Sequence, residues 1–283
     1  MTIVLARLTR DRIGLLGLCL VAVLIAVSIA APLITRQDPS AIDAARRLES
    51  ASHLHPLGTD NLGRDVLSRL LYGSRWSLGT VAITTLLILS IGVTMGIVAG
   101  YVGGVVDEII MRIVDVLLAF PSLLLALAIV GMLGPGLLTM MIGLVSVWWA
   151  SYARIVRGLV LSMRDRDFVA AARSLGANDT HIVFRHILPN VLPPVAVLAT
   201  IEMGELILAV AGLGFLGLGA QPPTPEWGAM VNDGRFFLLS APRLMIYPGI
   251  AISLAVMGFN LLGDALRDVL DPRTFASARG NTR

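Results

Sequence analysis

Glu202 and Glu205 are the residues whose chemistry is least expected from their surroundings, because both stand inside the apolar run 191–213. Their spacing places them about one turn apart on one face of a helix. A charge at the centre of a membrane span costs roughly 2.5–3.5 kcal/mol, so such residues normally face a bundle interior or a water-filled path. We interpret the pair as lining a translocation path that favours a cation or an amino group. The alternative is a structural role, with the carboxyls protonated or paired with another subunit.

Other patterns suggest chemistry but lack the partners that it needs. His53 and His55 have no third ligand nearby in the sequence, so we expect surface residues and no metal site. The glycine-rich stretch 212–219 follows no strand, so it predicts a flexible or closely packed helix end rather than a nucleotide site. The sequence contains no GxSxG pattern, and all four histidines fall in predicted loops, which argues against an intramembrane protease.

The composition is that of an integral membrane protein. Of 283 residues, 56% are hydrophobic and only 14% are charged, and the mean hydropathy is +0.82. Cys19 is the single cysteine, which excludes a disulfide framework. The 22 basic residues are all arginine, so the chain lacks the lysine of a Walker A loop and cannot itself be a P-loop ATPase. The net charge of +3 gives no case for nucleic-acid binding.

The apolar runs predict an all-α membrane protein with six transmembrane helices and both termini in the cytoplasm. A bilayer core about 30 Å thick needs about twenty residues per helix. Arginines before the first run and after the fourth place both of those ends inside. A cleaved signal peptide is the alternative for the first run, which is longer than the usual apolar region of such a peptide. The predicted spans are about 13–34, 78–99, 109–133, 137–160, 191–213 and 244–262.

These spans divide the chain into three parts. Residues 1–75 hold the first span and an external amphipathic segment, residues 76–266 form the core, and residues 267–283 form a cytoplasmic tail. Within the external segment, Thr59 or Asp60 is positioned to cap a short helix over 65–71, which we expect to lie at the membrane interface.

Three local signals concern the second and third spans. Glycines recur every four residues in the second span, which predicts a flat strip for close helix packing at Gly92, Gly96 and Gly100. Arg112 and Asp115 are spaced to pair near the interface. A proline in the third span, at Phe120-Pro121, predicts a kink.

The longest polar interruption in the second half of the chain lies within residues 164–190. Its sequence predicts a short amphipathic helix that ends at Gly176, then a second helix capped by Asn178 or Asp179. Arginines surround an apolar face formed by Phe168, Ala171, Ala172 and Leu175. The residues alone leave two interpretations open: an amphipathic connector lying on lipid, or a docking surface for a cytoplasmic partner.

The chain resembles the C-type permease subunit of the dipeptide/oligopeptide/nickel family of bacterial ABC importers. The resemblance covers nearly the whole length and rests on HPLGTDNLGRDVLSRLLYG, GYVGG, MRIVD, PPTPEWGAM and NLLGDALRDVLDPR. The polar segment also resembles the permease motif EAA-x3-G-x9-I-x-LP at Ala171, Ala172, Gly176, Leu188 and Pro189. Two positions depart from that motif. Ala170 stands where the family has glutamate, and His186 stands where it has isoleucine.

The resemblance implies a type I ABC importer permease in the bacterial inner membrane. Such a subunit pairs with a second permease and contacts one or two cytoplasmic ATPase subunits and an external substrate-binding protein. It is not an enzyme and binds no cofactor itself, since ATP and Mg belong to the ATPases. The implied ATPase-docking residues lie in the coupling loop, at Ala170, Ala171, Ala172, Arg173, Leu175, Gly176, Ala177 and Asp179.

The resemblance implies import of short peptides, with nickel as a chelate the alternative substrate. Two other classes of transporter remain open from the residues alone. A secondary transporter normally has inverted repeats, and none is evident here. A stand-alone channel has the same composition, and only the presence of an ATPase partner separates it from an importer.

Overall fold

The chain is almost entirely helical over residues 11–35 and 37–270, which the computed structural model describes. No strand occurs in those two ranges. The helices are α1 (Arg12–Ile34), α2 (Val66–Val102), α3 (Gly104–Leu118), α4 (Ser122–Leu133), α5 (Leu137–Arg164), α6 (Asp167–Ser174), α7 (Asp179–Phe215), α8 (Trp227–Gly234) and α9 (Arg243–Leu270). The predicted all-α class is confirmed. Arg7, Arg10 and most of the predicted tail 267–283 lie outside the described residues.

The helices that cross the membrane are identified by their length and their apolar composition. Within the described residues, five helices (α1, α2, α5, α7 and α9) are long and apolar enough to span by themselves. The pair α3 and α4 meets the same criterion together, and its two members are bent by 89° at the break between them. Counted as one broken span, this pair completes the predicted six.

The break between α3 and α4 lies at the predicted kink. Pro121 has no amide hydrogen and cannot continue a helical hydrogen-bond ladder. Helix α3 ends at Leu118, and α4 starts at Ser122, directly after the proline. The sequence therefore predicted the place of the bend but not its size.

Helix α2 begins earlier than predicted. Asp65 is its N-cap, and its Oδ2 accepts from the amide of Ser68 at 2.7 Å. The prediction of a separate interfacial helix capped by Thr59 or Asp60 is wrong, because residues 66–102 form one continuous helix. The predicted division between residues 75 and 76 therefore falls inside α2.

The glycine strip of α2 lies against α5. A Cβ added at Gly96 would come within 2.6 Å of the Val156 Cβ and 2.7 Å of the Ala153 carbonyl oxygen. Gly92 faces Tyr152 and Gly100 faces Val160 in the same way. The two backbones approach closely because these three positions have no side chain, as small-residue strips allow in membranes.

Helix α1 packs beside the end of α9, again through glycine. Gly14 lies against Ala265, and Gly17 lies against the backbone of Leu262. The first helix is thus part of the bundle. Its opposite face carries exposed apolar residues, including Ile29 and Leu33.

Candidate functional site

The coupling loop forms a compact corner between α5 and α7. Helix α6 ends in a Schellman motif, in which Gly176 donates to the Arg173 carbonyl at 3.0 Å and Ala177 donates to that of Ala172 at 3.1 Å. The φ angle of Gly176 is +84°, a left-handed conformation that favours glycine. Asn178 then caps α7 by accepting from the amide of His181 at 2.8 Å. Both predicted helix boundaries are confirmed.

The apolar face of α6 borders an open groove of about 660 Å³. Leu175 is 89% exposed and stands at the tip of the corner. His181 and His186 line the same groove from α7, with their ring centroids 5.7 Å apart. Of the residues predicted to dock an ATPase, Ala172 and Ala177 are half-buried, and the others are exposed: Ala170, Ala171, Arg173, Leu175, Gly176 and Asp179.

Polar contacts fasten this corner to the end of α2. The hydroxyl of Tyr101 donates to Oδ1 of Asp179 at 2.6 Å. On the other side of α6, Arg164 donates to the carbonyl oxygen of Gly100 at 3.0 Å. Arg157 forms a bidentate pair with Asp107, one bond of which measures 2.6 Å. The end of α2, the start of α3, the end of α5 and the start of α7 therefore meet around the coupling loop.

The predicted pair of Arg112 with Asp115 is wrong. Asp115 pairs with Arg154 on α5, while Arg112 lies 3.9 Å from Glu108 on its own helix. The spacing along α3 was compatible with the predicted pair, but α5 supplies a competing arginine that local spacing does not reveal.

The two mid-span carboxylates have different surroundings. Glu205 is exposed on the surface of this subunit, next to Leu208, which is also exposed. Glu202 is half-buried and faces the phenol of Tyr152. Its Oε2 is buried and has no hydrogen-bond partner among the described residues. An exposed carboxylate at this depth is unfavourable against lipid, so this face of α7 suits water or a second protein.

A buried carboxylate that the sequence analysis missed lies directly before α8, against α2 and α7. Glu226 is fully buried and accepts from the amides of Gly228 and Ala229 and from the Ser77 hydroxyl, each at 2.9 Å. The neighbouring Trp227 donates from its indole to the Leu70 carbonyl at 3.0 Å. Burial raises the pKa of the Glu226 carboxyl, and its three hydrogen bonds oppose that rise. The segment that connects the fifth predicted span to the sixth is therefore packed into the bundle.

A second missed cluster joins the start of α2 to the external segment and to α8. Asp60 pairs with Arg64 at 2.6 Å and with Arg69 at 3.4 Å, and Arg64 reaches Asp233 at 3.5 Å. His55 also belongs to this region, since its Nδ1 lies 3.0 Å from Oδ1 of Asp65. His55 is buried, contrary to the prediction of a surface residue. The clue in the sequence was the density of charge in 60–69, directly before an apolar span.

Comparison with known proteins places this arrangement in a family. The family described as "Binding-protein-dependent transport system inner membrane component" matches residues 92–276. The description "N-terminal TM domain of oligopeptide transport permease C" matches residues 1–56. The chain belongs to the binding-protein-dependent transport inner-membrane component family. It is accordingly a multi-pass permease subunit of an ABC importer in the bacterial inner membrane, as the sequence analysis predicted.

Curated relatives of this permease family transport different compounds. A dipeptide transport permease of Alkalihalophilus pseudofirmus is 45% identical over 94% of this chain and 88% of its own. A nickel transport permease of Escherichia coli is 45% identical over 91% of this chain and 93% of its own. A glutathione transport permease of Pectobacterium atrosepticum is 44% identical over 94% of this chain and 89% of its own.

A solved structure supports the permease fold. An inward-facing structure of the MetNI methionine ABC transporter matches with a TM-score of 0.59 and 20% identity, covering 72% of this chain and 98% of its own. This likeness concerns the arrangement of helices alone.

Proposed function

We propose that this permease subunit forms a translocation path for short peptides with a second permease and takes its energy from cytoplasmic ATPase subunits that dock on the coupling loop. An external binding protein delivers the substrate. ATP and Mg are used by the ATPases, and this chain binds no cofactor. The observation that carries the proposal is the exposed corner 170–179, which a membrane-spanning frame holds at its cytoplasmic end.

The corner has the properties of a docking surface for another protein. Leu175 projects into solvent from a turn that two backbone hydrogen bonds hold rigid, so a partner can bind it at little entropic cost. Arg173 stands beside it as an exposed cation. A partner with an apolar cleft and an acidic rim fits this surface. Ala170 is exposed as well, but it lacks the carboxylate found at this position of the motif. We therefore propose that Ala170 contacts the ATPase without forming an ion pair.

The docking test is copurification of the ATPases with the assembled importer. We expect Leu175→Asp to reduce ATPase association and ATP-driven uptake by about tenfold or more, because it places a charge in the apolar centre of the contact. The matched control is Leu239→Asp, since Leu239 is 100% exposed at the other end of the bundle. Undiminished ATPase association in Leu175→Asp would overturn the docking role. Uptake without any ATP requirement would favour a channel or a secondary transporter.

Peptide is the substrate class that we favour. Dipeptide and glutathione permeases stand among the relatives, and both of those compounds carry an ammonium group. Carboxylates at Glu202 and Glu205 complement such a group as it passes mid-membrane. Nickel as a chelate is the second candidate, because a nickel permease is equally similar to this chain.

Uptake of a labelled dipeptide and of radioactive nickel separates the two substrates. Both are measured in a strain that lacks only this subunit and in the same strain with the subunit restored. Restoration of dipeptide uptake alone supports the peptide assignment. Restoration of nickel uptake alone contradicts it and selects the alternative.

A further inference from the structure

We propose that Tyr101 is a positioning residue that links the coupling loop to helix α2, so that displacement of α6 by an ATPase moves the cytoplasmic end of α2. This inference rests on the proposed docking function, because it concerns the movement that docking sets off. It assigns a mechanical role to a residue outside the docking surface.

The phenol of Tyr101 contacts both ends of the corner. Its hydroxyl donates to Oδ1 of Asp179, the first residue of α7, at 2.6 Å. The exposed cation Arg173, in the last turn of α6, interacts electrostatically with the same phenol. One side chain on α2 therefore binds the residue that follows the exposed turn 175–178 and interacts with the helix that precedes it. Any movement of that turn acts directly on Tyr101.

A second link lies on the other flank of α6. Arg164, the last residue of α5, donates to the Gly100 carbonyl at 3.0 Å. Gly100 and Tyr101 are consecutive, so α6 is joined to the same turn of α2 both before it begins and after it ends. Directly beyond that turn, Gly103 and Gly104 have φ angles of +70° and +57°. These two glycines form the junction with α3, where a tilt of α2 is passed to the broken span.

At their cytoplasmic ends, packing alone does not connect α2 to α7. A cleft of about 370 Å³ opens between the two helices next to Tyr101, lined by apolar residues that include Val98, Val183 and Phe184. Tyr101 and Asp179, which share the hydrogen bond, both line that cleft. Removing the hydroxyl takes away this bond at the ends of the two helices, which pack on each other farther along.

The test uses the whole importer, with this subunit, its second permease, the ATPases and the binding protein reconstituted in proteoliposomes. We expect Tyr101→Phe to keep ATPase association and ATP hydrolysis while lowering the number of dipeptides taken up per ATP by roughly three- to tenfold. The net contribution of a typical intramolecular hydrogen bond supports a change of this size. The matched control is Tyr72→Phe, which removes the same group near the external end of the same helix.

A double-mutant cycle distinguishes the link from docking. Asp179→Ala removes the acceptor of the same hydrogen bond and is expected to lower uptake per ATP as Tyr101→Phe does, with no further loss in the double variant. Wild-type uptake per ATP in Tyr101→Phe would overturn the inference, as would additive losses in the cycle. Failure of the docking proposal would be seen in a different measurement, because the ATPases would then still associate with the Leu175→Asp variant. Hydrogen exchange measured over the whole subunit checks that Tyr101→Phe is folded. We expect faster exchange in residues 167–179 alone.

Discussion

The hydroxyl of Ser77 on α2 donates to Oε1 of Glu226 at 2.9 Å, joining residues that stand 149 positions apart. The same carboxylate caps α8 from inside the bundle. The turn before α8 is thus fixed to α2 by a group with no exposure to solvent. This contact explains why a segment rich in proline and glycine is packed among spanning helices.

Loss of that carboxylate is expected to destabilise the subunit. Glu226→Ala leaves two amides and one hydroxyl buried without an acceptor, which we expect to cost about 2–4 kcal/mol of unfolding free energy. The measurement is thermal unfolding of the detergent-solubilised protein. Glu108→Ala is the control, because Glu108 is exposed on α3. Equal stability of the two variants would contradict the anchoring role.

Glu226 also makes stability depend on pH in a defined direction. Burial raises the pKa of its carboxyl above the ordinary 4.5, so the folded protein binds that proton more tightly than the unfolded chain does. Its contribution to stability is therefore greatest at low pH, falls as pH rises from 4.5 through the folded-state pKa, and then levels off. Unfolding temperatures measured upward from pH 4.5 should show this fall in the wild type and less of it in Glu226→Gln. Parallel curves for the two proteins would exclude Glu226 as the source.

The glycine strip provides a test of helix packing. In Gly96→Ala, the new methyl group meets Val156 and the Ala153 carbonyl at distances below 3 Å. We expect a loss of roughly 1–3 kcal/mol, since overpacking forces the helices apart. Gly79→Ala is the matched control on the same helix, because a Cβ there has no neighbour within 4 Å. Unchanged unfolding temperature in Gly96→Ala would show that α2 and α5 separate at little cost.

The buried charge cluster at the start of α2 gives a further prediction. Asp60→Ala leaves Arg64 and Arg69, each 3% exposed, without their nearest carboxylate. Removing one partner of a buried ion pair costs about 3–5 kcal/mol, so we expect this variant to be recovered poorly from membranes. Asp43→Ala, in the exposed pair with Arg46, should be recovered like the wild type. Comparable yields would contradict the importance of the cluster.

The mid-span carboxylates are tested by neutralisation. We expect Glu202→Gln combined with Glu205→Gln to lower uptake by roughly tenfold or more while the subunits still assemble, because the path loses its attraction for a cationic group. Labelled dipeptide uptake and copurification are measured together. Glu108→Gln is the control for loss of a carboxylate elsewhere. Wild-type uptake in the double variant would remove these residues from the path.

The sequence by itself determined the class of protein, the number of apolar spans and the corner of the coupling loop. These features depend on local properties: the length of an apolar run, a proline that interrupts a helix, and a glycine that stops one. Gly176 and Asn178 illustrate this, since each acts on backbone groups within a few residues of itself. The resemblance to the permease family was carried by similarly local stretches.

Only the tertiary structure decided which distant groups meet. Glu226 reaches Ser77, Asp115 pairs with Arg154 rather than Arg112, and Tyr101 binds Asp179. Each partner is chosen by how whole helices pack, and many arginines and carboxylates of this chain had compatible local spacing. The same reason explains the uninterrupted α2, because its first turns are held by the packing of Trp227 and the buried cluster, which local sequence does not reveal.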